Sequence, residues 1–187
     1  MKFDSRIHHR RSIRLPGYDY SSLGAYYVTI CTRAKSFLFG CVLDGQMHRN
    51  DFGGVAHEQW FHSGKLRQDV MLDAFIVMPN HIHGIIIRRG IRRGGRRTPT
   101  VERFGKPAAG SLPTLVRAYK SAVTQGVNTL RNTPGESVWQ ENYYEHIVRS
   151  EAELNRIREY IATNPVRWGS DRYNPERSTS ANEDFDW

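Results

Sequence analysis

From Ala25 to Thr32 the chain reads AYYVTICT, a run of β-branched and aromatic residues that predicts a strand. Asp51 to about Leu66 predicts a helix, with Asp51 placed to cap it and Val55, Ala56 and Trp60 on one side. Met71 to Val77 predicts a second strand, Pro79-Asn80 a turn, and His81 to Arg88 a third strand. Residues 89–110 read as a long loop of Gly, Arg and Pro. Ser111 is placed to cap the next helix, with Pro113 in its first turn, where a missing N–H does no harm. Leu112, Leu115, Val116, Tyr119, Val123, Val127 and Leu130 follow a helical stripe, and Arg117, Lys120 and Thr124 fall on the polar side. Tyr144 to Arg149 predicts a fourth strand. Ser150 and Glu153 then form a capping box for a last helix, with Leu154, Ile157 and Ile161 as its stripe. Pro165 stops that helix, because the residue before a proline resists the helical region.

The order β-α-β-β-α-β plus one helix predicts an α+β fold, the ferredoxin-like split βαβ plan. It implies an antiparallel four-stranded sheet with an extra C-terminal helix. The 187 residues are expected to form a single domain (1–187). Within it we expect a basic N-terminal arm at 1–20, a core at 21–168 and a loose polar tail at 173–187.

The third strand opens oddly, as MPNHIHGIII. Side chains alternate along a strand, so His81 and His83 share a face, with Cα atoms roughly 6.6 Å apart at about 3.3 Å per residue. Ile85 and Ile87 continue that face, while Ile82, Gly84 and Ile86 point the other way. Both faces need cover. Two helices on one face cannot supply it, so the last helix is expected over the histidines. Tyr160 and Asn164 are four apart on that helix, on the shoulder of its apolar stripe.

Charge adds a second theme. There are 27 Lys+Arg against 19 Asp+Glu, and the pI is about 9.8. Such a balance favours polyanions. It is clustered: Arg6, Arg10, Arg11 and Arg14 near the start, and six arginines with three glycines in RRGIRRGGRR, residues 88–97. A charge run can also be a merely solvated face. No stretch approaches 18 apolar residues, so no membrane span is expected. The first residues lack the apolar core of a secretion signal. With Cys31 and Cys41 as the only cysteines, neither a disulfide framework nor a cysteine zinc site is expected, and the cytoplasm is the default location.

Two imidazoles, an amide oxygen and a phenol suit phosphodiester transfer. A cation held by His81, His83 and Asn164 would polarise a phosphate oxygen, and Tyr160 would attack phosphorus to give a covalent phosphotyrosine. Each residue has a bland reading as well. A His-x-His pair on a strand is often structural, a tyrosine at a helix edge is commonly amphipathic, and Asn before Pro ends many helices.

The set of motifs resembles the REP-associated tyrosine transposases, a branch of the single-tyrosine HUH transposases. HUH denotes histidine, a hydrophobic residue and histidine, here His81-Ile82-His83. The resemblance runs from RRSIRLPGYDYSSLGAYYVTICT (from Arg10) through FIVMPNHIHGIII and LVRAYKSAVTQGVN. It continues through VWQENYYEHIVRSEAELNRIREYIATNPVRW to Trp168. It implies metal ligands at His81, His83 and Asn164, a nucleophile at Tyr160, and Mg²⁺ or Mn²⁺ as cofactor. Tyr143 and Tyr144 rank second as nucleophiles because they lack the Asn164 partner. The implied substrate is single-stranded DNA near imperfect palindromic hairpins, cut to leave a 5′-phosphotyrosine and a free 3′-hydroxyl. The implied protein is a monomer or a homodimer. Arg10, Arg11, Arg14, Arg88, Arg89, Arg92, Arg93 and Lys120 are candidate DNA contacts, with solvent as the alternative for each.

Three activities compete: a strand-transferring nuclease, a catalytically inactive structure-specific nucleic-acid binding protein, and a hydrolase in which water attacks and Tyr160 only positions substrate. All three share one expectation. Binding to single-stranded DNA should weaken steeply between about 50 and about 200 mM salt, because each phosphate contact releases counterions. A flat binding curve over that range removes the argument from the basic clusters.

Overall fold

A computed structural model describes residues 18–90 and 110–177. Strand β1 (Gly24–Cys31) is followed by a short hairpin, β2 (Gly40–Leu43) and β3 (Gln46–Arg49), and by helix α1 (Asp51–Lys65). Then come β4 (Val70–Met78), β5 (His81–Arg88), α2 (Leu112–Arg131), β6 (Tyr144–Val148) and α3 (Glu151–Thr163). The main sheet runs β4-β5-β1-β6, with every neighbouring pair antiparallel. This is the expected split βαβ order, and β5 lies inside it.

The two faces are covered as the strand pattern requires. On one side Trp60 and Ala56 of α1, with Leu115, Tyr119, Val123 and Val127 of α2, pack on Tyr26, Val28, Ile82 and Ile86. On the other, Leu154, Ile157 and Ile161 of α3 pack on Tyr27 and Ile85. Alternation along β5 therefore sends Ile82 and Ile86 to the two-helix side and His81, His83 and Ile85 to the α3 side. No helix among the described residues is long and apolar enough to cross a membrane.

Several local expectations need correction. The β2–β3 hairpin was not anticipated. Its signal was Asp44-Gly45, both at positive φ (50° and 70°), the backbone that a two-residue hairpin turn demands. Asn50, not Asp51, caps α1: its side chain accepts from the Gly53 N–H at 2.9 Å, and Asp51 is already helical. Ser111 holds the N-cap position of α2, but its side chain makes no capping bond. Leu130 was expected in the buried stripe and is 55% exposed. The last turn of α2 instead buries Asn128, whose amide donates to the Glu136 carbonyl at 2.9 Å, so the covered side has rotated away from Leu130. The Ser150 hydroxyl accepts from Glu153 N–H as expected, but the Glu153 carboxylate turns to the Arg149 N–H and to His146.

Gly84 sets the spacing between β5 and α1. A Cβ there would stand 2.4 Å from a ring carbon of Trp60, which is itself stacked on Phe75 at 4.5 Å. Gly84→Ala should therefore lower stability by about 1–3 kcal/mol, the usual cost of overpacking. Chemical denaturation with tryptophan fluorescence reads it, and an unchanged midpoint contradicts this packing.

Candidate metal and tyrosine site

His81 and His83 are fully buried on the α3 face of β5. Their Nε2 atoms face each other 3.0 Å apart. Neighbouring hydrogen bonds fix much of their protonation. Asn80 donates its amide N–H groups to the carbonyls of Lys35 (3.1 Å) and Tyr173 (2.7 Å), so its oxygen faces His81 Nδ1 at 2.8 Å. His81 Nδ1 must then carry the proton, which leaves its Nε2 lone pair bare. His83 Nδ1 lies 2.8 Å from the Tyr27 hydroxyl and 2.9 Å from the Thr29 hydroxyl. Hydroxyls can donate or accept. They tolerate either tautomer of His83: one that shares an Nε2 proton with His81, or one that frees Nε2 for a cation.

Burial pushes the His81 pKa down to about 3, and Lys35 and Arg172 push the same way. Burial, then His81, holds His83 well below the usual histidine range. Both rings are neutral at physiological pH, the state a metal ligand needs.

The rest of the pocket comes from α3 and the chain just beyond it. Tyr160 sets its ring edge-on to His83, with centroids 5.2 Å apart, and 6.4 Å from Tyr27. Asn164 closes α3 and is fully buried. Its amide N–H donates to Asp171 Oδ2 at 2.7 Å, while its carbonyl oxygen is buried with no hydrogen-bond donor. Asp171 follows a short 3₁₀ turn, Trp168–Ser170. One ligand atom each from His81, His83 and Asp171 lies within 4.8 Å of the others. Burial raises the Asp171 pKa. Burial also raises the Tyr160 pKa, with Asp171 and Tyr173 adding to it and Arg172 and the Asn164 side chain opposing.

The residues present fit a divalent cation. His81 with its bare Nε2, His83 able to free its own, and the Asp171 carboxylate offer ligand atoms within 4.8 Å of one another, and the donorless Asn164 oxygen belongs to the side chain bonded to Asp171. Each such group is costly to bury alone. A carboxylate beside two imidazoles suits Mn²⁺ at least as well as Mg²⁺.

Sequence reasoning brought together His81, His83, Tyr160 and Asn164, and they meet here. It missed Asp171. Tyr173 and Asn174, expected at the head of a loose tail, pack into the fold: Tyr173 lies against His81 with centroids 4.7 Å apart, and Asn174 is buried. Tyr144 stands on the same face, 6.2 Å from Tyr27. The basic candidates divide. Arg88 is only 2% exposed, bonded to Asp69 (2.9 Å) and to the Tyr20 carbonyl (3.2 Å), so it is an internal ion pair rather than a DNA contact. Lys120 is spent on the carbonyls of Gln140 and Glu141, and burial lowers its pKa. Arg89 is exposed, with its side chain against the Met71 sulfur. Arg10, Arg11, Arg14, Arg92 and Arg93 lie outside the described residues.

No family model matches the sequence. A protein of Haemophilus influenzae, described only as uncharacterized, is 40% identical over 175 residues, covering 91% of this chain and 96% of that protein. The chain belongs to that protein's family. Two solved structures are similar to this member of the family. One is a REP-associated tyrosine transposase bound to a REP hairpin, with TM-score 0.49 and 16% identity over 87% of this chain and 75% of that one. The other is a candidate transposase from Deinococcus radiodurans, with TM-score 0.41 and 17% identity over 81% and 96%.

The depressed imidazole pKa values have a definite sign. Between about 3 and 6.5 the unfolded chain binds a proton at His81 that the folded chain refuses. That contribution to stability is complete above pH 6.5 and is lost as pH falls through the window. Asp171 works oppositely: its share is full below the ordinary value of 3.8 and is lost as pH rises through its raised pKa. Mn²⁺ titrations by calorimetry at two pH values, about one unit below and one above the ordinary imidazole pKa, test the site. An exposed pair would lose about 100-fold in affinity at the lower pH; here the change should stay under about threefold. Asp171→Asn should weaken Mn²⁺ by more than about tenfold, and an unchanged affinity would remove Asp171 from the ligand set.

Proposed function

We propose that this chain is a single-stranded DNA strand transferase acting at palindromic hairpins, with Tyr160 as nucleophile. The observation that carries the proposal is the convergence of the Tyr160 ring on the His81–His83 pair, beside Asn164 and Asp171. The resemblance of HIHG, WQ and EYIATNPV to the REP-associated tyrosine transposases supports the same reading.

His81, His83 and Asp171, with Asn164 Oδ1, would hold the divalent cation. When bound, it supplies charge neutralisation at a phosphate oxygen and offsets the Asp171 carboxylate. The Tyr160 hydroxyl oxygen attacks phosphorus, forming an O–P bond. The P–O3′ bond breaks in line, the 3′-oxygen leaves to become a hydroxyl, and the phenol gives up its proton. The 5′-phosphotyrosine preserves the phosphodiester's energy, so the reverse attack by a 3′-hydroxyl rejoins DNA with no nucleotide cofactor. The phenol is the difficult partner. Its pKa is raised by burial and by Asp171, so the opposing charge of Arg172 matters for reactivity. Asn164 links the two functions, because its amide holds Asp171 from the turn that follows the tyrosine helix.

Incubation with labelled hairpin DNA and Mn²⁺, followed by denaturation, tests the proposal. A covalent DNA–protein adduct should form and fall to background in Tyr160→Phe. Binding without cleavage would instead make the chain an inactive binding protein. Cleavage that survives Tyr160→Phe without an adduct would make water the nucleophile.

A further inference from the structure

The residue after the buried Asp171 turns outward. Arg172 is exposed, yet its position is defined. Its guanidinium lies over the Tyr173 ring (5.0 Å) and the Tyr144 ring (5.7 Å), and it donates to the Tyr173 hydroxyl at 3.0 Å. Tyr173 in turn lies against His81 and His83, at 4.7 and 5.7 Å between centroids. The guanidinium is thus one aromatic ring away from the imidazole pair, at the rim of the pocket. Lys35 stands by the same tyrosine, 5.7 Å from its centroid.

Arg172 has donors to spare. A guanidinium carries five N–H groups, and Tyr173 takes one. No carboxylate among the described residues forms an ion pair with it. Its neighbour Asp171 turns its oxygens instead to the Asn164 amide and the Tyr173 N–H. Two aromatic faces hold the cation by stacking without neutralising it. A fixed, planar, unneutralised fork at the mouth of a phosphoryl-transfer pocket matches a phosphodiester's two non-bridging oxygens. Its field already reaches the centre, for it opposes the raised pKa values of Tyr160 and Asp171 and helps depress both histidines.

We propose that Arg172 binds the non-bridging oxygens of the scissile phosphate and aligns phosphorus with the Tyr160 hydroxyl. The assignment rests on the strand-transferase reading of the pocket. It also makes a demand of its own. As the Tyr160 O–P bond forms, negative charge gathers on those oxygens, and Arg172 meets it there. Tyr144 and Tyr173 are positioning residues in this scheme, since they set the plane of the fork.

Two measurements separate the assignment from the reading beneath it. In a Tyr160→Phe background with Mn²⁺, fluorescence anisotropy follows binding of an imperfect-palindrome hairpin oligonucleotide with single-stranded flanks. Arg172→Gln should flatten the slope of log affinity against log salt by about 0.7–1, the signature of one lost phosphate contact. Mn²⁺ affinity should be unchanged. With Tyr160 restored, the single-turnover rate of adduct formation should fall about 100-fold in Arg172→Gln. Arg172→Lys should retain part of both effects, and it serves if the Gln variant misfolds. An unchanged salt slope together with an adduct rate within twofold of wild type overturns the role of Arg172. If the parent forms no adduct but the slope still flattens, the transferase reading fails while the phosphate contact stands.

Discussion

Two uncharged imidazoles, pressed nitrogen to nitrogen in a pocket without solvent, constrain everything around them. Their Nε2 atoms are 3.0 Å apart. Two lone pairs at that distance repel unless a proton or a cation lies between them. The chain therefore has to supply, from outside the pair, groups that fix which nitrogens carry hydrogen. Asn80 does so for His81 from the β4–β5 turn, while the Tyr27 and Thr29 hydroxyls, able to donate or accept, hold His83 Nδ1 from β1 and let its proton move. Those partners are neighbours only because β5 sits between β4 and β1, with Thr29 opposite His83 and Cys31 opposite His81. Sheet order and site chemistry are one constraint.

The same constraint explains the helices. A strand that buries Ile82 and Ile86 on one side and His83 and Ile85 on the other cannot face water on either. Two helices cover the first side. The third covers the second with an apolar stripe, and Tyr160 rides on the stripe's shoulder with its ring reaching His83. A helix added for burial thus brings the Tyr160 phenol to the histidine pair.

How much of this was legible in the chain depended on the range of the interactions. The four strands of the main sheet, the three helices and their order followed from local periodicity, and the alternation of HIHGIII fixed which face each residue takes. The Tyr160–Asn164 pair followed from helical spacing. Asp171 did not, because it belongs to no periodic element. It becomes a pocket residue only when the chain turns back after Trp168, and the aromatic residues Trp168 and Tyr173 on either side were its sole local mark. Arg88 was misjudged for a related reason. Beside Arg89 in a basic run it read as surface charge, but Asp69, nineteen positions earlier, draws it inward. Lys120 likewise meets its carbonyls from a loop twenty residues away. Long-range pairing of a single side chain leaves no periodic trace.

Asn80 also has a temporal consequence. Its amide joins the carbonyls of Lys35 and Tyr173 while its oxygen orders His81. One side chain thus clasps an early stretch, a middle turn and a late one. During synthesis the histidines emerge long before residue 173 does. Until that late stretch folds back, His81 lacks its full clasp and the carboxylate of Asp171 is missing, so the pocket is completed only once residues 171–173 have been made.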